Sequence, residues 1–318
     1  MEMELIEITA EEYEKLCDGY KYFYNSRAFH ELNKGKVERV VYFLFRNRKN
    51  KLALAVGIAD GVMKIPYSAP FSVFETMQDY IKIEEIDQAL ELLEQYAATQ
   101  HIDKIFFRCP PAFYDSSFLS KLYNCLIRFG YQIAMCDLNY QFHLRKDKLY
   151  MDLLHRNARK NLKQAMKRNL ELFQCSTDEE KKEAYHIIAA NRESKGYPLR
   201  MTYDQIMETV QYTIHDFFIL KCDCIGIASA IVFKVTNNCH QVIYWGNLEG
   251  TEHNRPMNYL AYMLYHHYLE KGIEFLDIGP STENGMPNYG LCDFKESIGC
   301  EVDTKYTFVK NISVEGDL

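Results

Sequence analysis

Residues 257–280 read MNYLAYMLYHHYLEKGIEFLDIGP, and residues 84–110 read EEIDQALELLEQYAATQHIDKIFFRCP. In both, apolar residues recur at helical spacing, a short polar turn follows, and a β-forming run ends at a proline. Asp103 and Glu274 lie 171 positions apart, and Pro110 and Pro280 lie 170 apart. The likeness continues downstream. SKLYNCLIRFGYQIAMCDLNYQFHL (120–144) and LCDFKESIGCEVDTKYTFVK (291–310) both run helix, glycine, β-rich segment, with Gly130 and Gly299 169 positions apart. Upstream, VVYFLFRNRKNKLALAVGIADG (40–61) and DFFILKCDCIGIASAIVFK (216–234) each read as two strands joined by a tight turn. A nearly constant offset across several elements means two copies of one fold.

Each copy is expected to run helical start, antiparallel strands, helix, strand, helix, last strand. The predicted class is therefore α/β in the α+β sense: two tandem domains, each a mixed, mostly antiparallel sheet flanked by helices. The boundary is placed between 146 and 147, giving domains 1–146 and 147–318. The chain of 318 residues is long enough for two ordinary cores, and its 47% hydrophobic content can fill them. The formal net charge is −7, which excludes bulk attraction to nucleic acid or an anionic membrane. Phosphate binding must come from a local basic patch. Ten cysteines occur without a C-x-x-C pair, and most lie inside apolar runs. They read as buried thiols of a reducing compartment. The acidic N-terminus lacks an apolar signal core, and no apolar run approaches the ~18 residues of a membrane span. A cytoplasmic protein is expected, without a metal.

Between the copies lies KDKLYMDLLHRNARKNLKQAMKRNLEL (146–172), which reads as one long helix. Arg156, Arg159, Lys160, Lys163 and Lys167 share one face, while Tyr150, Leu154, Ala158, Leu162 and Ala165 share the other. Such a stripe is either a solvated face or an anion site.

The segment HQVIYWGNLEGTEHNRPMNYL (240–260) reads as a strand interrupted at Gly246 and Asn247. A polar loop then feeds Pro256 at the start of a helix, with Asn254 as its cap and Asn258 in its first turn. Backbone N–H groups at such a junction can hold a phosphate or polarise a carbonyl.

In this order, these pieces resemble the acyl-donor site of the GNAT acyltransferase superfamily. With R-x-x-R-K-x-x-x-x-A-x-K before the second copy, ANRESKGYP (190–198) within it and DFKESIG (293–299) near its end, the chain resembles the Fem-type transferases and their acetyltransferase-like relatives. The resemblance is strongest over 150–310. It implies a bacterial cell-wall aminoacyl or acyl transferase, with Phe294 and Lys295 matching the family's Phe-Lys pair. Lys295 would then handle the donor or the developing charge, and Arg192 would match an arginine of the second copy. The Gly-rich loop that ordinary GNAT enzymes use for coenzyme A is replaced here by EHNRPMNYL (252–260), which has no glycine.

The residues then suggest roles. Lys295 is a candidate cation for an acyl-transfer oxyanion, with Phe294 buried to aim it. Asp277, at the end of FLDIG, either accepts the amine proton or caps the loop after it. Arg156, Arg159, Lys163, Arg192 and Tyr244 are candidate substrate ligands. Gly246, Asn247, Asn254 and Asn258 form the candidate donor loop. The reading is direct transfer to an amine of a bulky anionic acceptor, with aminoacyl-tRNA or acyl-CoA as donor and no covalently held cofactor. A CoA-dependent N-acetyltransferase is the alternative enzyme. A non-catalytic tandem GNAT-like protein that binds a nucleotide-type ligand is the alternative of another class.

Overall fold

The computed structural model describes residues 2–17 and 19–312. The first half of the sequence forms β1 (Glu4–Ile8), α1 (Ala10–Leu16), α2 (Arg27–Asn33), β2 (Arg39–Arg46), β3 (Asn50–Ala59), β4 (Val62–Ile65), β5 (Glu75–Thr76), α3 (Ile83–Thr99), β6 (Lys104–Arg108), α4 (Ser116–Arg128) and β7 (Gln132–His143). The second half begins with α5 (Tyr150–Leu153), α6 (Arg156–Ala165), β8 (Leu170–Gln174), α7 (Asp178–Ser194) and α8 (Tyr203–Thr209). It continues with β9 (His215–Cys222), β10 (Ile225–Lys234), β11 (Cys239–Asn247), α9 (Pro256–Glu270) and β12 (Phe275–Pro280). A small hairpin, β13 (Thr282–Glu283) and β14 (Met286–Pro287), leads to α10 (Tyr289–Ser297) and β15 (Glu301–Asn311).

Two compact units result, one of residues up to Asp137 together with those from Asp303, the other Leu138–Val302. In the first, the strand order is β1-β2-β3-β4-β6-β15. All neighbours are antiparallel except β4 and β6. In the second the order is β7-β12-β11-β10-β9-β8, and only β11 and β12 are parallel. The repeat read from the offsets is thus visible as one parallel pair in each sheet. The final strands are exchanged, however. β7, the last strand of the first repeat, pairs with β12, while β15, the last of the second, pairs with β6.

The helices follow from their patterns. In α3, Ile86, Ala89, Leu90, Leu93 and Ala97 are buried at i, i+3, i+4 spacing. Asp115 caps α4 by accepting from the Phe118 N–H. In the second unit the sheet is sandwiched. Leu260, Ala261, Leu264, Tyr265 and Tyr268 of α9 pack on one face with Ala158 and Leu162 of α6. Ala184, Ile187 and Ile188 of α7 and Ile206 of α8 pack on the other.

Three expectations are corrected. The long helix over 146–172 is broken at Leu154 and His155, which are extended with ψ 138° and 158°, and the chain turns into β8 at Leu170. The break is held from outside: the His155 N–H donates to the Ser297 carbonyl at 3.0 Å. The Arg159 guanidinium also bridges the carbonyls of Met151 and Leu154 at 3.0 and 3.2 Å. Next, β11 is not interrupted at Gly246 and Asn247, which stay paired with Ser229 and Ala228 of β10. The irregularity sits earlier, where Ile243 is bulged between Val242 and Tyr244. Finally, Asn254 does not cap α9. It closes a 3₁₀ turn, and the cap position is Arg255 in the left-handed region, φ 55°, with no side-chain cap.

Candidate functional site

The parallel pairing of β11 with β12 covers Cys239–Gln241 and Phe275–Asp277, and among the described residues goes no further. Both strands continue, β11 to Asn247 and β12 to Pro280. A wedge therefore opens past the Gln241–Asp277 level. One edge of β11 stays paired with β10, and the other faces the wedge. Backbone groups on such an edge need partners, which an extended ligand can supply.

Asp277 stands at the apex of the wedge and is 0% exposed. Its carboxylate accepts from Asn139 Nδ2 at 2.7 Å, Gln241 Nε2 at 2.6 Å and the Gly279 N–H at 2.8 Å. The last bond fixes a bulge, because the register of β12 against β7 shifts between Asp277 and Gly279. Gly279 has φ +76°, a conformation that favours glycine. The bulge directs three successive carbonyls to one point.

That point is occupied by Lys295. Its Nζ donates to the carbonyls of Ile278, Gly279 and Pro280 at 3.1, 2.8 and 3.1 Å. It lies 5.4 Å from the centre of the Tyr140 ring. The side chain is 2% exposed. An ammonium has three N–H groups, and here each finds an acceptor. Burial nevertheless disfavours its charge and lowers its pKa to about 8, against the favourable pull of Cys300 and Asp277. The expectation that Phe294 is the buried member of the pair fails. The face of α10 toward the core carries Cys292, Lys295 and Ile298 at i+3 steps. Phe294 lies beside that face, half-buried, with its ring 6.3 Å from that of Trp245 on β11.

On the other face of the sheet, α7 supplies Asn191 and Arg192. Asn191 Nδ2 donates to the Asn247 carbonyl at 2.7 Å. A Cβ at Gly246 would fall 2.4 Å from Asn191 Oδ1, so this glycine is set by helix packing. The Arg192 guanidinium lies 5.5 Å from the Tyr244 ring and 5.9 Å from the Tyr197 ring. Its Nε is buried with no hydrogen-bond partner, and among the described residues no carboxylate pairs with it. Burial pulls its pKa down. Arg192 and Lys295 are thus two cations close enough to act on each other, and Asp277 opposes that repulsion at Lys295. This arrangement is suited to an incoming anion. Asn258 is buried in the first turn of α9. Arg156, Arg159 and Lys163 line a shallow groove of ≈ 310 Å³ together with Lys160, Gln164 and Lys167.

Several contributors escaped the sequence reading. Tyr140 comes from the exchanged strand β7, so nothing local to the Phe-Lys motif points to it. Tyr197 accepts from Asn288 Nδ2 at 2.9 Å, and Asn288 caps α10 by accepting from the Leu291 N–H. The Asp-x-Gly spacing in FLDIG was the available signal for the bulge that holds Lys295.

No protein-family model and no curated protein matches the chain. Solved structures do. FemX shares 12% identity and a TM-score of 0.69, covering 97% of each chain. The C-terminal domain of a protein assigned as a lysylphosphatidylglycerol synthetase, from Agrobacterium fabrum, shares 11% identity and a TM-score of 0.59 over 95% of this chain and 93% of that one. A tandem GNAT protein from the clavulanic acid biosynthesis pathway shares 11% identity and a TM-score of 0.51 over 98% and 99%. These likenesses show the fold: two GNAT-like units in tandem.

Proposed function

We propose that this protein is an acyltransferase that moves an aminoacyl or acyl group onto an amine of a bulky anionic acceptor. The observation that carries the reading is Lys295, a buried ammonium held on the carbonyls of the bulge at the end of β12. Likeness to FemX and to a lysylphosphatidylglycerol synthetase domain supports an aminoacyl rather than a simple acetyl group. The glycine-free segment 252–260, with Pro256 removing one N–H, favours an aminoacyl ester over coenzyme A.

The acceptor amine attacks the donor carbonyl carbon, a tetrahedral oxyanion forms, and the carbon–oxygen ester bond breaks. The proton lost by the amine ends on the departing oxygen. Lys295 has committed its N–H groups to Ile278, Gly279 and Pro280, so it acts through its field in a low-dielectric site. Asp277, engaged by three donors, serves as a positioning residue that shapes the bulge. Arg192, between Tyr197 and Tyr244, receives an anionic group of the acceptor. The test offers the protein aminoacyl-tRNA and acyl-CoA separately, with a panel of anionic amines, and reads product mass. Transfer from aminoacyl-tRNA that disappears in Lys295→Met is the expected result. Absence of transfer from either donor overturns the reading.

A further inference from the structure

Lys295 commits its three N–H groups to the carbonyls of Ile278, Gly279 and Pro280. Those bonds fix its place but leave its charge in a setting that burial opposes. The groups around it divide. Asp277 of β12 and the thiols of Cys292 and Cys300 pull toward the charged form, and Arg192 of α7 pushes against it. Burial holds the Cys300 thiol far up and so keeps it neutral.

A further neighbour comes from β7. Tyr140 is fully buried, and Lys295 Nζ lies over its ring, 5.4 Å from the centre. That is inside the ~6 Å within which a ring face attracts a cation, and the attraction grows where water is absent. The ring is held at both ends. Its backbone pairs in register with Gly279, where β12 resumes after the shift at Asp277. Its hydroxyl donates to Glu296 Oε1 at 2.9 Å, and Glu296 follows Lys295 on α10. Tyr140 therefore spans from the bulge that supplies the carbonyls to the helix that supplies the lysine. Its place in the chain adds to this. Tyr140 precedes the 146/147 boundary of the sequence repeats, so the ammonium of the second repeat is faced by a ring on a strand of the first.

We infer that Tyr140 is a positioning residue for transfer: its ring, clamped between the β12 bulge and α10, keeps the Lys295 ammonium charged and seated on its three carbonyls. The inference rests on the proposed role of Lys295 and adds a residue that the Phe-Lys motif does not contain. No bond forms or breaks at the ring. It acts on the charge through the electron density of its face, so the hydroxyl is the anchor and the ring is what the ammonium feels.

The test reads Lys295 directly. The full chain, isotopically labelled at its lysine Cε atoms, is titrated by NMR, and the resonance missing from Lys295→Met is that of Lys295. In the unaltered protein its midpoint is expected at about 8. Tyr140→Phe keeps the ring and should keep that midpoint. A trifluorinated phenylalanine at position 140 holds the shape while draining the ring face, and should lower the midpoint by roughly half to one pH unit. The fall of transfer rate with pH, at saturating donor and acceptor, should move down by the same amount in the trifluorinated protein, with KM unchanged. A ring that served packing alone would leave both where they are. Equal midpoints in Tyr140→Phe and the trifluorinated protein overturn the inference, whatever the transfer activity. A midpoint that moves in a protein that transfers from neither donor upholds the hold of the ring on the ammonium and overturns the transferase reading instead.

Discussion

A buried ammonium is stable only while its N–H groups find acceptors, and removing one partner of such a set is costly. Lys295 has its three carbonyls, so Lys295→Met should keep the volume but strand Ile278, Gly279 and Pro280. The expected stability loss is about 1–3 kcal/mol, read from denaturant melts, with transfer slowed roughly 10²-fold. Phe294→Ala should cost less than a full core cavity, about 1–2 kcal/mol, because the ring is only half-buried. The linkage has a definite sign. The folded-state pKa of Lys295, about 8, lies below the 10.5 of an exposed lysine, so between these values the unfolded chain binds more protons. Stability should therefore rise with pH across that window, and Lys295→Met should remove this component of the rise. At this scale the sequence located the residue but inverted its setting. Burial of a lysine beside an exposed-edge phenylalanine depends on the carbonyls of β12, which are distant in sequence.

Elements meet at glycines here, and those contacts were only partly readable. Gly246 sits under Asn191 of α7, so Gly246→Ala should cost about 1–3 kcal/mol through overpacking. Adding Asn191→Ala should relieve part of that loss, giving a non-additive pair in melting experiments. The sequence reading took Gly246 for a strand break because glycine and asparagine punctuate strands. The tertiary contact with α7 reverses that meaning, since the glycine admits a helix and β11 runs on. The long basic helix was misread for a similar reason. Its periodicity spans the break, and what bends the chain at His155 is the Ser297 carbonyl of α10. At the start of α9, Arg255 holds the cap position in the left-handed region and Pro256 removes one N–H from the first turn. Calorimetry should accordingly show coenzyme A binding weaker than micromolar, and tighter binding would favour the N-acetyltransferase alternative.

At the scale of the molecule, the constant offsets revealed two copies, and the parallel pair in each sheet is their imprint. The exchange of β7 and β15 was not legible. Both strands have the same pattern, so nothing local distinguishes which sheet each completes. The exchange has a consequence for truncation. Removing residues from Glu301 on exposes the edge of β6, whose Ile105 and Phe107 are fully buried, and takes away the Lys310–Glu94 ion pair. The first unit should then lose its cooperative melt or aggregate through that edge, as seen by calorimetry and light scattering. Retention of two intact transitions would show that β15 is dispensable to it.

The central claim is that the charge of Lys295 drives transfer at the end of β12. The pH dependence of transfer at saturating donor and acceptor tests it most directly. The unaltered protein should lose rate as pH rises through about 8, where Lys295 gives up its proton. Lys295→Met should be slow throughout, with no fall in that range. Equal rates, or the same fall near pH 8 in both proteins, would contradict the account.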